Sequence, residues 1–213
     1  MIRRLLVALI LTGALAPAAI PRDAAGQERP ASGRGPIVFV GSSIFHRWTR
    51  LDEQMAPLPI VNVAFDGSQT ADMLRMLDSR VLPFRPSVIA YYCGSNDVDA
   101  GEQAESIFDR IRQFVVRVST ASPSTRIVFM SINRAPEKRA LWTVVDAVNA
   151  RVEALAKQSK NFQYVDVNPV LFNADGTPRM ELYLSDQLHF RPPAYELFAG
   201  ILKPVLKTAY EAR

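Results

Sequence analysis

Five short apolar runs punctuate the chain: PIVFV at 36–40, PIVNVAF at 59–65, SVIAYYC at 87–93, RIVFMSI at 126–132 and FQYVDV at 162–167. Most are too continuously apolar to keep one face in water, which is the pattern of strands in a parallel sheet covered on both sides. Between them, apolar positions recur every three or four residues. Ile107, Phe108, Ile111, Phe114, Val115 and Val118 make one such set, and Leu141, Val144, Val145, Val148, Val152 and Leu155 another. That period predicts amphipathic helices. A last set, from Phe198 and Ile201 to Leu206, predicts a closing helix. Strand and helix therefore alternate, and the pattern predicts a three-layer α/β/α domain on a five-stranded parallel sheet. Asn168 to Ser185, with NADGTP at its centre, reads as a long turn-rich connection, a length that is often functional. Neither an internal repeat nor a second domain is visible.

Ligands of an open parallel sheet bind beyond the carboxyl ends of its strands. There the first run ends in Gly41-Ser42-Ser43, the second in Asp66-Gly67-Ser68 and the third in Gly94-Ser95-Asn96-Asp97. A serine becomes a nucleophile only with a base beside it, and histidine is the usual one. The chain has two histidines, His46 and His189. His189 lies in LSDQLHFRP, three residues after Asp186, where a turn can set the carboxylate against the imidazole. His46 has no such neighbour nearer than Asp52 and reads as a surface or satisfied core residue. Each position also has a plainer reading: Ser43 as a helix cap, Gly67 as a turn glycine, Asn96-Asp97 as a turn pair with Asp97 bracing the loop, Asp186 and His189 as helix-entry residues. With Gly67 and Asn96 at the neighbouring strand ends, catalysis is the favoured reading of Ser43.

Composition narrows the classes. At 213 residues and 48% hydrophobic, the chain suits one domain with a sizeable core. Residues 1–26 open with Arg3 and Arg4 ahead of an apolar run broken by Gly13 and Pro17, the layout of a secretory signal peptide. Ala24-Ala25-Gly26 is one candidate cleavage site, Ala16-Pro17-Ala18 a second, and an uncleaved anchor is the alternative. Residues 27–35 read as a linker, and 36–213 as the domain. Cleavage after Gly26 removes three arginines and one aspartate, taking the formal charge from +4 to +2. No basic cluster interleaved with aromatics marks a nucleic-acid surface. The single cysteine, Cys93, cannot form an internal disulfide and reads as a core thiol, with a Cys nucleophile the minor alternative. With two histidines and one cysteine, no usual metal-ligand spacing occurs, so a metal-independent reaction without a cofactor is expected. No G-x-G-x-x-G follows the first run, which disfavours a dinucleotide site.

The blocks Gly41-Ser42-Ser43-Ile44, Gly67, Gly94-Ser95-Asn96-Asp97 and Asp186-Gln187-Leu188-His189 resemble, in order, the four signature blocks of the SGNH (GDSL-type) hydrolases, and the similarity spans residues 36 to 206. The resemblance implies a flavodoxin-like sheet, with Ser43 as nucleophile, His189 as base and Asp186 as its orienting partner. It implies an oxyanion hole made of the Ser43 and Gly67 N–H groups and the Asn96 side-chain amide. Ser42 stands where that family commonly has Asp, which leaves Ser42 as an alternative reactive hydroxyl; Ser43 is preferred because apolar Ile44 follows it. Gly67 is expected to let the backbone approach closely without a Cβ. A helix beginning just after Ser43 would direct its positive end at the same point. The activity implied is that of an exported serine esterase acting on small esters, lipids or acylated glycans (lysophospholipase-like, lipase-like or acetylesterase-like). The alternatives are an O-acyltransferase acting on a glycan and a non-catalytic carbohydrate- or lipid-binding module. No nucleic-acid partner is expected, and membrane contact only through substrate or an uncleaved signal.

Overall fold

The computed structural model describes residues 33–212. The expected signal peptide, and the linker up to residue 32, lie outside the described residues. Five parallel strands, β1 (Ile37–Gly41), β2 (Ile60–Asn62), β3 (Val88–Tyr92), β4 (Arg126–Met130) and β5 (Phe162–Val165), stand in the order β2-β1-β3-β4-β5. The helices are α1 (Ser43–His46), α2 (Leu51–Met55), α3 (Thr70–Met76), α4 (Ser95–Asp99), α5 (Ala104–Ala121), α6 (Trp142–Lys157) and α7 (Pro192–Glu211). Fold class and strand count are those expected from the apolar pattern.

The central strands are apolar at every position but the first of β4, Arg126, because both faces are covered, and alternate residues feed two separate cores. Phe39, Tyr92 and Met130 pack against α1, α2 and α7. Val40, Tyr91 and Phe129 pack against α3, α5 and α6. Each large apolar side chain so enclosed contributes roughly 2 kcal/mol. The periodic sets read from the sequence supply the buried faces of α5, α6 and α7. Helix α7 opens on Pro192 and Pro193, where a missing N–H interrupts no hydrogen bond.

The second run differs from expectation. Only Ile60–Asn62 is strand, and none of it is fully buried, because it forms the sheet edge. The chain beyond it still follows β1: Val63 N–H donates to Phe39 O (2.9 Å) and Phe65 N–H to Gly41 O (3.0 Å). The connection 168–185 is ordered into short pieces, with a bridge between Phe172 and Pro178 around the NADGTP turn and another between Tyr183 and Phe190. No described helix is long and apolar enough to cross a membrane.

Gly41 pairs with Tyr92 at the end of β1. Its φ is +152°, and a Cβ there would lie 1.9 Å from the Tyr92 carbonyl oxygen. That atom is backbone inside a sheet and cannot withdraw, so glycine is obligatory. Gly41→Ala is expected to lose about 3 kcal/mol or more of stability, measured as the urea midpoint; an unchanged midpoint would show that the strand ends can spread.

Candidate active site

Ser43 is the first residue of α1, and Ser42 takes the cap position without a side-chain capping bond. The cap reading thus passes from Ser43 to Ser42. From 146 positions away His189 reaches the same point, with its Nε2 3.0 Å from Ser43 Oγ. Its Nδ1 lies 2.7 Å from Asp186 Oδ2. An ionised carboxylate only accepts, so Nδ1 carries the proton and Nε2 is left to accept from the serine hydroxyl. The order is Asp186, His189, Ser43, each within hydrogen-bond reach of the next.

The turn carrying the acid and the base is built locally. Asp186 Oδ1 accepts from the N–H groups of Leu188 (3.0 Å) and His189 (2.9 Å), while Gln187 takes a positive φ of +56° to close the turn. Burial works to raise the Asp186 carboxyl. The hydrogen bond from the His189 ring, those from the two backbone N–H groups, and attraction to a protonated His189 outweigh it and hold the carboxyl down at about 2, against 3.8 ordinarily.

The hydrogen-bond donors expected from the sequence are backbone and amide groups on neighbouring strand-end loops. The N–H groups of Ser43 and Gly67 donate to no acceptor among the described residues. Asn96 Nδ2 donates one hydrogen to Ser68 O (2.9 Å), which leaves its second free for a ligand. Gly67 departs from the expected reason for glycine. A Cβ there would meet nothing within 4 Å, so what it supplies is a positive φ of +73°. Helix α1 is four residues long, so it brings orphan N–H groups more than a summed dipole.

The model of the GDSL-like lipase/acylhydrolase family matches residues 31–197. The chain belongs to this family of ester-hydrolysing enzymes. Among curated proteins no match is found. The fold is shared with a GDSL-like lipase from Bacteroides thetaiotaomicron (19% identity, 87% of this chain and 94% of that one covered, TM-score 0.74). It is shared also with a lipase/acylhydrolase from Enterococcus faecalis (18%, 81% and 95%, 0.63). A carbohydrate esterase family 3 structure from Talaromyces cellulolyticus is similar too (16%, 84% and 99%, 0.65).

Within this GDSL-like fold, Asp97 accounts for how two strand-end loops stay together. It is fully buried and accepts from the Thr70 N–H (3.1 Å to each oxygen), from the Thr70 hydroxyl and from Arg110 Nη2 (3.2 Å). Arg110 also reaches Thr70 Oγ1 (2.7 Å) and Glu102 (2.6 Å). The bracing role thus has named partners, which join the loop of Asn96 to the loop of Gly67. Cys93 is fully buried; burial, then the neighbouring Asp97 charge, push its thiol well up, so it is no nucleophile. His46 donates from Nδ1 to Ala64 O (3.0 Å) and stands apart from the serine. Phe45 and Trp48 are core. A cavity of about 180 Å³, lined in part by Arg47, Trp48, Phe190 and Tyr195, adjoins the His189 turn, but neither Ser43 nor His189 lines it.

Thr70 and Arg110 were not legible as residues that brace the site, since each acts on a partner far along the chain and no local spacing marks it. Two outcomes follow. Asp97→Ala strands the buried Thr70 N–H and takes one of two carboxylate partners from Arg110, and is expected to lose about 3 kcal/mol, read by calorimetry. A carboxyl lowered on folding stabilises above its unfolded pKa, and that contribution fades as pH falls through its folded one. The urea midpoint of Asp186→Asn should therefore trail wild type above about pH 4 and approach it toward pH 2. A constant gap would contradict the hydrogen-bond account of the turn.

Proposed function

We propose that this family member is an exported serine esterase that cleaves carboxylic esters through an acyl-serine intermediate. The observation that carries the reading is the unbroken hydrogen-bonded line from Asp186 through His189 to Ser43. Ser43 Oγ attacks the ester carbonyl as His189 Nε2 takes its proton, and Asp186 steadies the resulting imidazolium. The carbonyl oxygen becomes an oxyanion, which the Ser43 and Gly67 N–H groups and the Asn96 amide are arranged to receive. Collapse breaks the bond to the alcohol, which leaves with the proton from His189. Water, deprotonated by the same imidazole, then releases the acid and restores the serine. Ser42 has the less suitable place, because the imidazole points to Ser43. Export rests on the layout of residues 1–26.

A hydrocarbon-bearing ester, of a lipid or an acylated glycan, is favoured over an acetyl ester by one feature. Tyr183 and Phe190 are bridged antiparallel, both buried, with ring centres 4.9 Å apart. The next pair, Leu184 and His189, joined by Leu184 N–H to His189 O (2.8 Å), therefore sits on the opposite face. Leu184 is 39% exposed, so an apolar side chain on the same face flanks the imidazole.

The test is hydrolysis of p-nitrophenyl esters of increasing acyl length. Ser43→Ala and His189→Ala should each lower kcat/KM at least about 10³-fold, and Ser42→Ala should stay close to wild type. Leu184→Ser should weaken octanoyl turnover more than acetyl turnover. Equal rates in wild type, Ser43→Ala and His189→Ala would end the proposal.

A further inference from the structure

Gly67 sits on a loop whose two ends are tied to one atom. Phe65 N–H and Ser68 Oγ–H both donate to Gly41 O, each at 3.0 Å. Between these ties Asp66 and Gly67 are exposed. The N–H of Gly67 belongs to the planar peptide unit that joins it to Asp66, so where that N–H points depends on how Asp66 is held. Asp66 is held by Arg47: Nε lies 3.3 and 3.1 Å from its two carboxylate oxygens and Nη2 2.8 Å from Oδ2. The fork fits the carboxylate at more than one point, which fixes orientation as well as distance. The hydrogen bond from Arg47 holds the Asp66 carboxyl below its usual value, so the pair stays ionised. Arg47 also caps the helix of the reactive serine, with its backbone N–H donating to Ser43 O (2.8 Å). One residue thus grips both the helix that begins at Ser43 and the peptide unit that presents the Gly67 N–H.

We infer that Arg47 and Asp66 are positioning residues for ester hydrolysis: their ion pair locks the Asp66–Gly67 peptide at a set distance from Ser43 and so aims the Gly67 N–H at the developing oxyanion. The inference rests on the serine-esterase reading above. As a stabiliser the pair contributes little, since its side chains are 43% and 45% exposed and water screens them. Its effect falls on a donor whose aim matters only when negative charge appears. Loss of a whole oxyanion donor lowers turnover by about 10²–10³, so misdirecting one lowers it by less.

Arg47→Ala and Asp66→Asn are each expected to lower kcat about tenfold, with KM within about twofold and Tm down by no more than about 3 °C. A trifluoromethyl ketone, which adds Ser43 to give a hemiketal oxyanion, should lose affinity by the same factor as kcat/KM. The double variant should be no worse than the poorer single variant, because the two side chains act as one unit. Three results overturn the inference: kcat within twofold of wild type in both folded variants, a rise in KM at constant kcat, which would make Arg47 a substrate contact, or losses that multiply in the double variant. Absence of ester turnover and of fluorophosphonate labelling in wild type would instead overturn the esterase reading beneath it.

Discussion

The reacting rim depends on how closely β1 runs beside β3 at Gly41. Without a side chain there, the Tyr92 carbonyl occupies the space a Cβ would need, and Ser42 N–H bonds to that same carbonyl at 3.2 Å. The Gly41 carbonyl in turn receives the Phe65 amide and the Ser68 hydroxyl. The serine helix and the Gly67 loop are therefore spaced by sheet geometry, about 4.8 Å per strand, instead of by flexible connections. The proposed oxyanion donors would have to be in place before charge develops, and a sheet edge is rigid in the way that requires.

Two carboxylates serve this rim in opposite environments. Asp97 is sealed inside, with every oxygen engaged by Thr70 and Arg110, and its work is to join loops. Asp186 is half exposed, held by its own turn, and its work is to fix which nitrogen of His189 carries the proton. Burial of Asp186 to the degree of Asp97 would have required its own cationic partner. The turn avoids that need by offering two backbone N–H groups. Because acid and base lie three residues apart in one tight turn, their mutual geometry is local, and only the contact with Ser43 depends on the whole fold.

Much of this was legible in the residues alone. Central strands announced themselves because burial on both faces leaves almost no polar position, and α5, α6 and α7 because one wet face imposes a period. The approach of Asp186, His189 and Ser43 to one another was legible because a serine, a base and a carboxylate stood at the loop positions the sheet brings together. The edge strand was overread: PIVNVAF is apolar enough for a longer strand, but only Ile60–Asn62 forms one at the sheet edge. The reason for Gly67 was misread, since a close approach and a positive φ leave the same letter in a sequence. Asp66 stood in a strand-end block, but its pairing with Arg47 left no trace: the two are nineteen residues apart, and surface ion pairs carry no periodicity.

Helix α7 leaves the rim three residues after His189 and runs along one face of the sheet toward the opposite end of the strands, where the Arg34 guanidinium meets the Tyr210 carbonyl just ahead of β1. Both ends of the described chain therefore emerge at the back of the molecule. A tether, tag or immobilising support attached at either end would grip the enzyme from behind and leave its reactive mouth turned outward toward whatever it digests.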